Sequence, residues 1–366
     1  MPRSTVDQRT FDAAHDALRH ADHILIGAGA GLSTAEGLAY DGPRFERLFS
    51  AFIERYGITD MYSAGFYPFS TLADYWAYWS LHIDVNRYDV PESPLYQALV
   101  DWAVAHDTFV ITTNVDAQFS LAGMPDDRIF APQGDYGLFQ CSRGCHPRTY
   151  PNHDAVKAML QDTQHGQRTT LTDQSLIPYC PVCGAPMSVN VRCDATFVED
   201  DAWHLAEQRH RRWLASACGT GSTVLLELGV GWNTPVWIRY PFEHIAQQTD
   251  ATLIRINADP TTMRPSTTLD GRSYLPLNGD IATLLPVLLV NSRVGLSTRP
   301  AFDPDRPLGM SPRCARNRHD AVPTRSTNPM EHVSRCARNR HGAVSHTSYR
   351  ETAASPLSSA HGCYAD

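Results

Sequence analysis

The chain has 366 residues, 42% hydrophobic and 19% charged, which is ample for a sizeable core and long for one domain. A formal charge of −8 argues against a protein that coats nucleic acid, and no apolar run approaches the roughly 20 residues needed to span a bilayer. Residues Met1–Thr10 carry no apolar stretch of the kind a secretory signal needs, so a cytoplasmic protein without membrane or nucleic-acid partners is expected.

In chain order, a helix is expected over Asp7–His20, followed by a short apolar run, Ile24–Ile26, that reads as a buried parallel strand. The loop after it, Gly27-Ala-Gly29-Ala30-Gly31-Leu32-Ser33, suits backbone N–H groups approaching phosphates; a tight turn is the plainer reading. Leu32 stands where a literal G-x-G-x-x-G would close, and no GK[ST] follows, so a Walker A loop is excluded. Residues 40–95 read as helical. Phe45, Leu48, Phe49, Phe52, Ile53 and Tyr56 keep helical spacing up to Gly57 at the C′ position, which predicts one helix. Thr71 and Asp74 form a capping pair before Leu72, Tyr75, Trp76, Trp79 and Ile83, an aromatic stripe that reads as core.

A helix over Tyr96–Ala105 and a strand over Thr108–Thr112 lead into Thr113-Asn114-Val-Asp116. Beyond the cysteine-bearing stretch 136–200, alternation resumes. Helices are expected at Asp201–Leu214, Thr234–Gln247 and Asp280–Leu289, the last capped by Asp280. Strands at Thr223–Leu228, Thr252–Ile256 and Tyr274–Leu277 end in Gly229-Val230-Gly231, Asn257-Ala-Asp259 and Asn278-Gly-Asp280. Small and polar residues thus gather where an open α/β sheet places its ligand crevice, at the strand C-termini.

Nine cysteines on a chain with no signal read as a reducing compartment, not a disulfide scaffold. Cys141-x3-Cys145 and Cys180-x2-Cys183 have the spacing of two metal knuckles, and the Cys-Pro-x-Cys-Gly form of the second is turn-prone. Four thiolates leave no open position, so a zinc there is structural; four incidental buried thiols are the alternative. From 291 to 366 the character changes. This stretch has 11 Arg and six acids, a charge of +5, which leaves 20 basic and 33 acidic residues, −13, in 1–290. It repeats Arg313-Cys-Ala-Arg-Asn-Arg-His319 as Arg335-Cys-Ala-Arg-Asn-Arg-His341 and reads as a disordered basic tail.

The motifs occur in one order: Gly29-Ala-Gly-Leu-Ser33-x3-Gly37, Thr113-Asn-Val-Asp116, Gln133-Gly134, the cysteine knuckles, Gly229-Val-Gly231, Ile256-Asn257 and Gly279-Asp280. That order resembles the sirtuins. Met61-Tyr-Ser-Ala-Gly-Phe-Tyr67, Asn190-Val-Arg192 and Glu227-Leu-Gly-Val-Gly-Trp-Asn-Thr-Pro235 resemble their macrodomain-linked class in particular. The resemblance implies an α/β fold, a Rossmann-like doubly wound parallel sheet from 1–39, 96–135 and 201–290. It also implies a smaller inserted module, helical over 40–95 and a zinc ribbon over 136–200. NAD as co-substrate and structural zinc on Cys141, Cys145, Cys180 and Cys183 are implied likewise.

On those matching positions the resemblance places Asn114, Gln133 and Arg192 in the catalytic centre. It places Gly29, Ala30, Gly31, Ser33, Gly37, Thr113, Asp116, Gly229, Val230, Gly231, Asn233, Asn257 and Asp280 around NAD, with Tyr40, Arg44 and Phe45 over its nicotinamide. Taken by themselves, Asn114 also reads as a cap after a strand and Arg192 as a surface arginine. The usual sirtuin histidine before Gly134 is Gln133 here. Glutamine does not titrate near neutral pH, so it cannot serve as the base that deacylation needs. Protein ADP-ribosyltransfer is therefore the expected activity. The class resemblance implies a lipoylated glycine-cleavage H-like carrier as acceptor and a separate macrodomain hydrolase as partner. Lysine deacylation, NAD glycohydrolysis and a non-catalytic NAD-sensing module are the alternatives.

Overall fold

The computed structural model describes residues 6–290; the duplicated tail segment and Cys314, Cys336 and Cys363 lie outside the described residues. Nine strands follow in chain order: β1 His23–Ala28, β2 Thr108–Thr112, β3 Ile129–Phe130, β4 Gly134–Cys141, β5 Thr149–Pro151, β6 Met187–Val191, β7 Thr223–Leu228, β8 Thr252–Asn257 and β9 Tyr274–Asn278. Six of them form one parallel sheet in the order β3-β2-β1-β7-β8-β9. Ranked among themselves by chain position, these run 3-2-1-4-5-6, the doubly wound order of dinucleotide-binding sheets. The order reverses between β1 and β7, and that is where a crevice opens.

Both faces of the sheet are covered, so its strands read as mainly apolar runs. Ile24, Ile26, Val110, Val224 and Leu226 pack with helices Gln8–His20, Pro94–Ala103 and Ile281–Leu289. Leu25, Phe109 and Leu225 point the other way, onto Trp213 and Phe242 of helices Asp201–Ala217 and Arg239–Gln248. Alternate residues along each strand thus fill two separate cores.

The excursions between the strands build a third core. β5-β4-β6 is antiparallel, and helix His153–Asp162 packs against helix Leu72–Ile83. Trp76 meets Phe139 with ring centroids 4.7 Å apart, in one cluster with Phe45, Phe52, Met159 and Val189. Segments separated by the whole of β2 therefore share a single apolar interior. Among the described residues no helix is long and apolar enough to cross a membrane.

Two local expectations change. The aromatic stretch 45–56 forms two helices, Gly42–Leu48 and Ser50–Tyr56, broken at Phe49 (φ −111°, ψ 20°). The break turns the axis while Phe49 and Phe52 both stay against Tyr78, at 5.5 and 5.7 Å. Gly57 takes the left-handed C′ conformation, φ 67°. The helix expected from Thr234 starts at Arg239, because residues 232–238 remain a loop over the crevice. β4 begins at Gly134, where a Cβ would fall 2.0 Å from Asn190 O, so only glycine lets β4 lie this close to β6.

Candidate active site

Two loops cross at the reversal point. Gly31 N donates to Gly229 O at 3.0 Å. A Cβ on Gly29 would stand 2.7 Å from Gly229 O, and one on Gly229 2.4 Å from Leu32 N. These glycines are needed for the backbones to pack on each other, a stricter demand than approach to a ligand. Above the crossing lies a cleft of 780 Å³ lined by Gly29, Ala30, Gly31, Ser33, Thr113, Asn114, Asp116, Gly229, Val230, Gly231, Asn233 and Asn257. Twelve of the expected site residues thus come together at the C-terminal end of the sheet.

Asn114 is held from three sides. Its Nδ2 donates to Gly29 O and Ser33 Oγ at 3.1 Å each and to Tyr96 Oη at 3.3 Å. Ser33 Oγ donates to Asp116 Oδ2 at 2.6 Å, so its 2.8 Å contact with Tyr96 is donated by the tyrosine. Burial raises Asp116 above the usual carboxylate range, while the bonds from Ser33 and the Gln118 backbone pull it down. The far end of the cleft extends beneath the inserted module, past Tyr40, Trp79, His82, Tyr136 and Val191.

Six expected residues are not in the cleft wall. Phe45 is 2% exposed and stacks on Phe49 inside the module core. The Arg44 guanidinium is turned inward as well, donating to Ala39 O at 3.1 Å and Asn86 Oδ1 at 3.0 Å. Gly37 closes the turn after the short helix Ala30–Ala35, donating to Thr34 O. Asp280 caps helix Ile281–Leu289. Gln133 is buried just before β4; its backbone carbonyl accepts from Arg192 N at 2.9 Å and its Oε1 has no partner. Arg192 pairs with Glu199 at 2.7 Å, donates to Pro132 O and lies 4.1 Å from the Phe197 ring centre, with Trp203 and Trp237 at 5.5 Å. Gln133 and Arg192 therefore form one unit beside the cleft and not its lining.

Tyr96, Trp79, His82, Asp259 and Thr262 are cleft or cleft-support residues that sequence reading did not single out as a site. Thr262 is held from below by charge. Arg239 and Arg255 donate to its carbonyl, and both are fully buried with Glu227 and Glu243. Arg255 binds Glu227 through two bonds of 2.6 and 2.9 Å and Glu243 through a third of 2.7 Å.

The thiols of Cys141, Cys145, Cys180 and Cys183 lie within 4.8 Å of one another. Cys141 and Cys183 are 3.5 Å apart, Cys145 and Cys180 3.6 Å. Sulfurs about 2.3 Å from a tetrahedral zinc lie about 3.8 Å apart, so the cluster fits a structural zinc. Cys193 lies in the cleft wall, outside this cluster.

No family model matches the chain. It is 34% identical over 289 residues to a protein ADP-ribosyltransferase of Staphylococcus aureus, covering 78% of this chain and 90% of that protein. It is 33% identical over 300 residues to a probable bifunctional ADP-ribose hydrolase/ADP-ribosyltransferase of Fusarium oxysporum, covering 79% of this chain and 49%, about half, of that protein. An NAD-dependent protein deacylase of Methylococcus capsulatus is 26% identical over 75% of this chain and 93% of its own length. A solved complex of a Sir2 homologue with NAD is 14% identical, with a TM-score of 0.49 over 79% of this chain and 94% of that one. With the order of its motifs, its doubly wound sheet, its four-cysteine cluster and a relative 34% identical along nine-tenths of that relative's length, the chain belongs to the sirtuin family.

Proposed function

We propose that the protein cleaves the nicotinamide–ribose bond of NAD and transfers ADP-ribose to a protein acceptor in preference to removing acyl groups. The carrying observation is Gln133, an amide where the sirtuin resemblance expects a histidine base. A deacylase must draw protons from ribose hydroxyls; glutamine can orient a hydroxyl but not take its proton. His82, the one histidine among the described cleft residues, is pushed down to about 3 by burial and by Arg44, which leaves it a poor base at neutral pH. The names of the Staphylococcus and Fusarium relatives favour the same reading.

NAD supplies an electrophilic ribose carbon and nicotinamide as leaving group. Asn114, fixed by Gly29, Ser33 and Tyr96, orients the ribose side, and the loops at Gly29–Ser33 and Gly229–Asn233 hold the phosphates and adenosine. Asp116 receives the nicotinamide amide. Gln133 and Arg192 stand beside the cleft as a supporting pair: the amide can orient the ribose side but take no proton, and Arg192 holds a fixed positive charge that cannot act as a base. The acceptor proposed is a lipoylated glycine-cleavage H-like carrier. A macrodomain hydrolase that reverses the transfer is proposed as partner, a pairing in keeping with the two activities named for the Fusarium relative.

NAD labelled in its adenylate, incubated with a lipoylated carrier, tests this. Label on the carrier is expected. Loss of acyl groups supports deacylation, free ADP-ribose supports glycohydrolysis, and binding alone supports a sensing module. Asn114→Ala and Gln133→Ala should each abolish labelling while zinc content and fold persist.

A further inference from the structure

Two nitrogens in the module-side wall of the cleft have no hydrogen-bond partner. Trp79 and His82 stand three residues apart on helix Leu72–Ile83, so their side chains share a face. Both line the cavity, and both Trp79 Nε1 and His82 Nε2 are buried and unsatisfied. His82 is 1% exposed. Its ring centre lies 4.9 Å from that of Trp79, 5.0 Å from Tyr136 and 5.7 Å from Tyr40. Native interiors rarely leave one such atom unpaired, and two side by side in a cavity wall point to something that fills it.

The tautomer follows from a neighbour. Tyr78 Oη has one proton, and it goes to Met61 O at 2.7 Å. The 3.1 Å contact between Tyr78 Oη and His82 Nδ1 is therefore donated by the histidine. Because the ring is neutral, Nε2 is left as a bare lone pair. The indole N–H of Trp79 can only donate. The wall thus offers one donor and one acceptor, with no charge, between aromatic rings.

We propose that Trp79 and His82 form a receptor for an uncharged carboxamide, whose C=O accepts from Trp79 Nε1 and whose N–H donates to His82 Nε2. A carboxylate brings no donor and would place a charge against apolar walls; an ammonium brings no acceptor. Two carboxamides belong to the reaction proposed above, on which this inference rests: nicotinamide, and the amide of an acylated lysine on the acceptor. The pair stands on the inserted module and not on the glycine loops, which favours the acceptor's amide. Trp79 and His82 then select the acceptor and take no part in bond breaking.

Equilibrium binding to the full chain, with no turnover, tests this. One series is nicotinamide against acetylpyridine, which keeps the C=O and lacks the N–H. The other is a peptide with octanoyl-lysine against its ester analogue, which lacks the same N–H. The wild type should bind at least one amide about tenfold tighter than its counterpart, and the series showing the gap identifies the source. His82→Asn keeps the bond to Tyr78 while removing Nε2 and should close that gap; Trp79→Phe removes the donor to the C=O that both ligands carry, and should weaken amide and counterpart alike by about tenfold. Equal binding of amide and counterpart in both series, no amide binding, an unchanged gap in His82→Asn, or undiminished binding of both ligands to Trp79→Phe overturns the proposal. The wild-type series stands even where a variant melts early. Because the readout is binding, a failure of ADP-ribosyl transfer in the labelling experiment would leave this result independent.

Discussion

At the scale of single residues, Tyr96 is the clearest case of a side chain that acts through others. Burial holds its phenol well above its ordinary pKa, so it stays protonated and donates to Ser33. With Ser33 thereby committed to Asp116, Asn114 has one geometry. Tyr96→Phe should lower the unfolding free energy by only about 1 kcal/mol, yet slow ADP-ribosyl transfer about tenfold by loosening Asn114. Denaturant unfolding and single-turnover transfer, measured side by side, check that split; a loss of stability with an unchanged rate would reduce Tyr96 to packing. Sequence reading found Ser33, Asn114 and Asp116 because each sits in a short polar motif at a strand end. Tyr96 carries no such mark, since its partner Ser33 lies 63 residues away. Trp79 and His82 were equally hidden, for a different reason. Their site is defined by partners they lack, and an aromatic stripe on a helix is also what a plain core looks like.

At the scale of elements, legibility follows burial. β1, β2, β7 and β8 are covered on both faces and show as mainly apolar runs, whereas β3 has two residues and β4 is interrupted at Asp135–Phe139 by a bulge. The break at Phe49 is invisible in sequence because the apolar spacing runs straight through it. Within the apolar run of β7, Glu227 looks like an exception and is instead one of four members of a fully buried charge cluster with Arg239, Glu243 and Arg255. Arg255→Met would leave Glu227 and Glu243 buried with only the more distant Arg239, at 3.7 and 3.8 Å. A destabilisation of about 3–5 kcal/mol is expected from such a one-sided removal, read by urea unfolding. The loop carrying Asp259 and Thr262 hangs from the same cluster, so weaker NAD binding should accompany it.

At the scale of the whole molecule, three histidines set the pH range of stability. His82 and His210 are buried and neutral, pushed down to about 3 and about 4, chiefly by burial. Below about 6.5 the unfolded chain takes up protons that these two refuse, so stability falls as pH drops from there through their folded values. His23 has the opposite sign. Its bond to Asp107 at 2.7 Å raises its pKa, so its contribution is complete below about 6.5 and is lost as pH rises through the folded value. Urea midpoints across pH 4.5–8.5 should peak near 6.5, and His23→Asn should flatten the alkaline side alone. The crossing of the β1 and β7 loops has a consequence in time. Asp22 and Ser222, which flank those strands, are hydrogen-bonded across 200 residues of chain. During synthesis at roughly 5–20 residues per second, β1 leaves the ribosome about 10–40 s before β7 can lie beside it. The cleft is therefore among the last parts of the protein to exist, and a nascent chain gains a ligand site only after most of its length has been made.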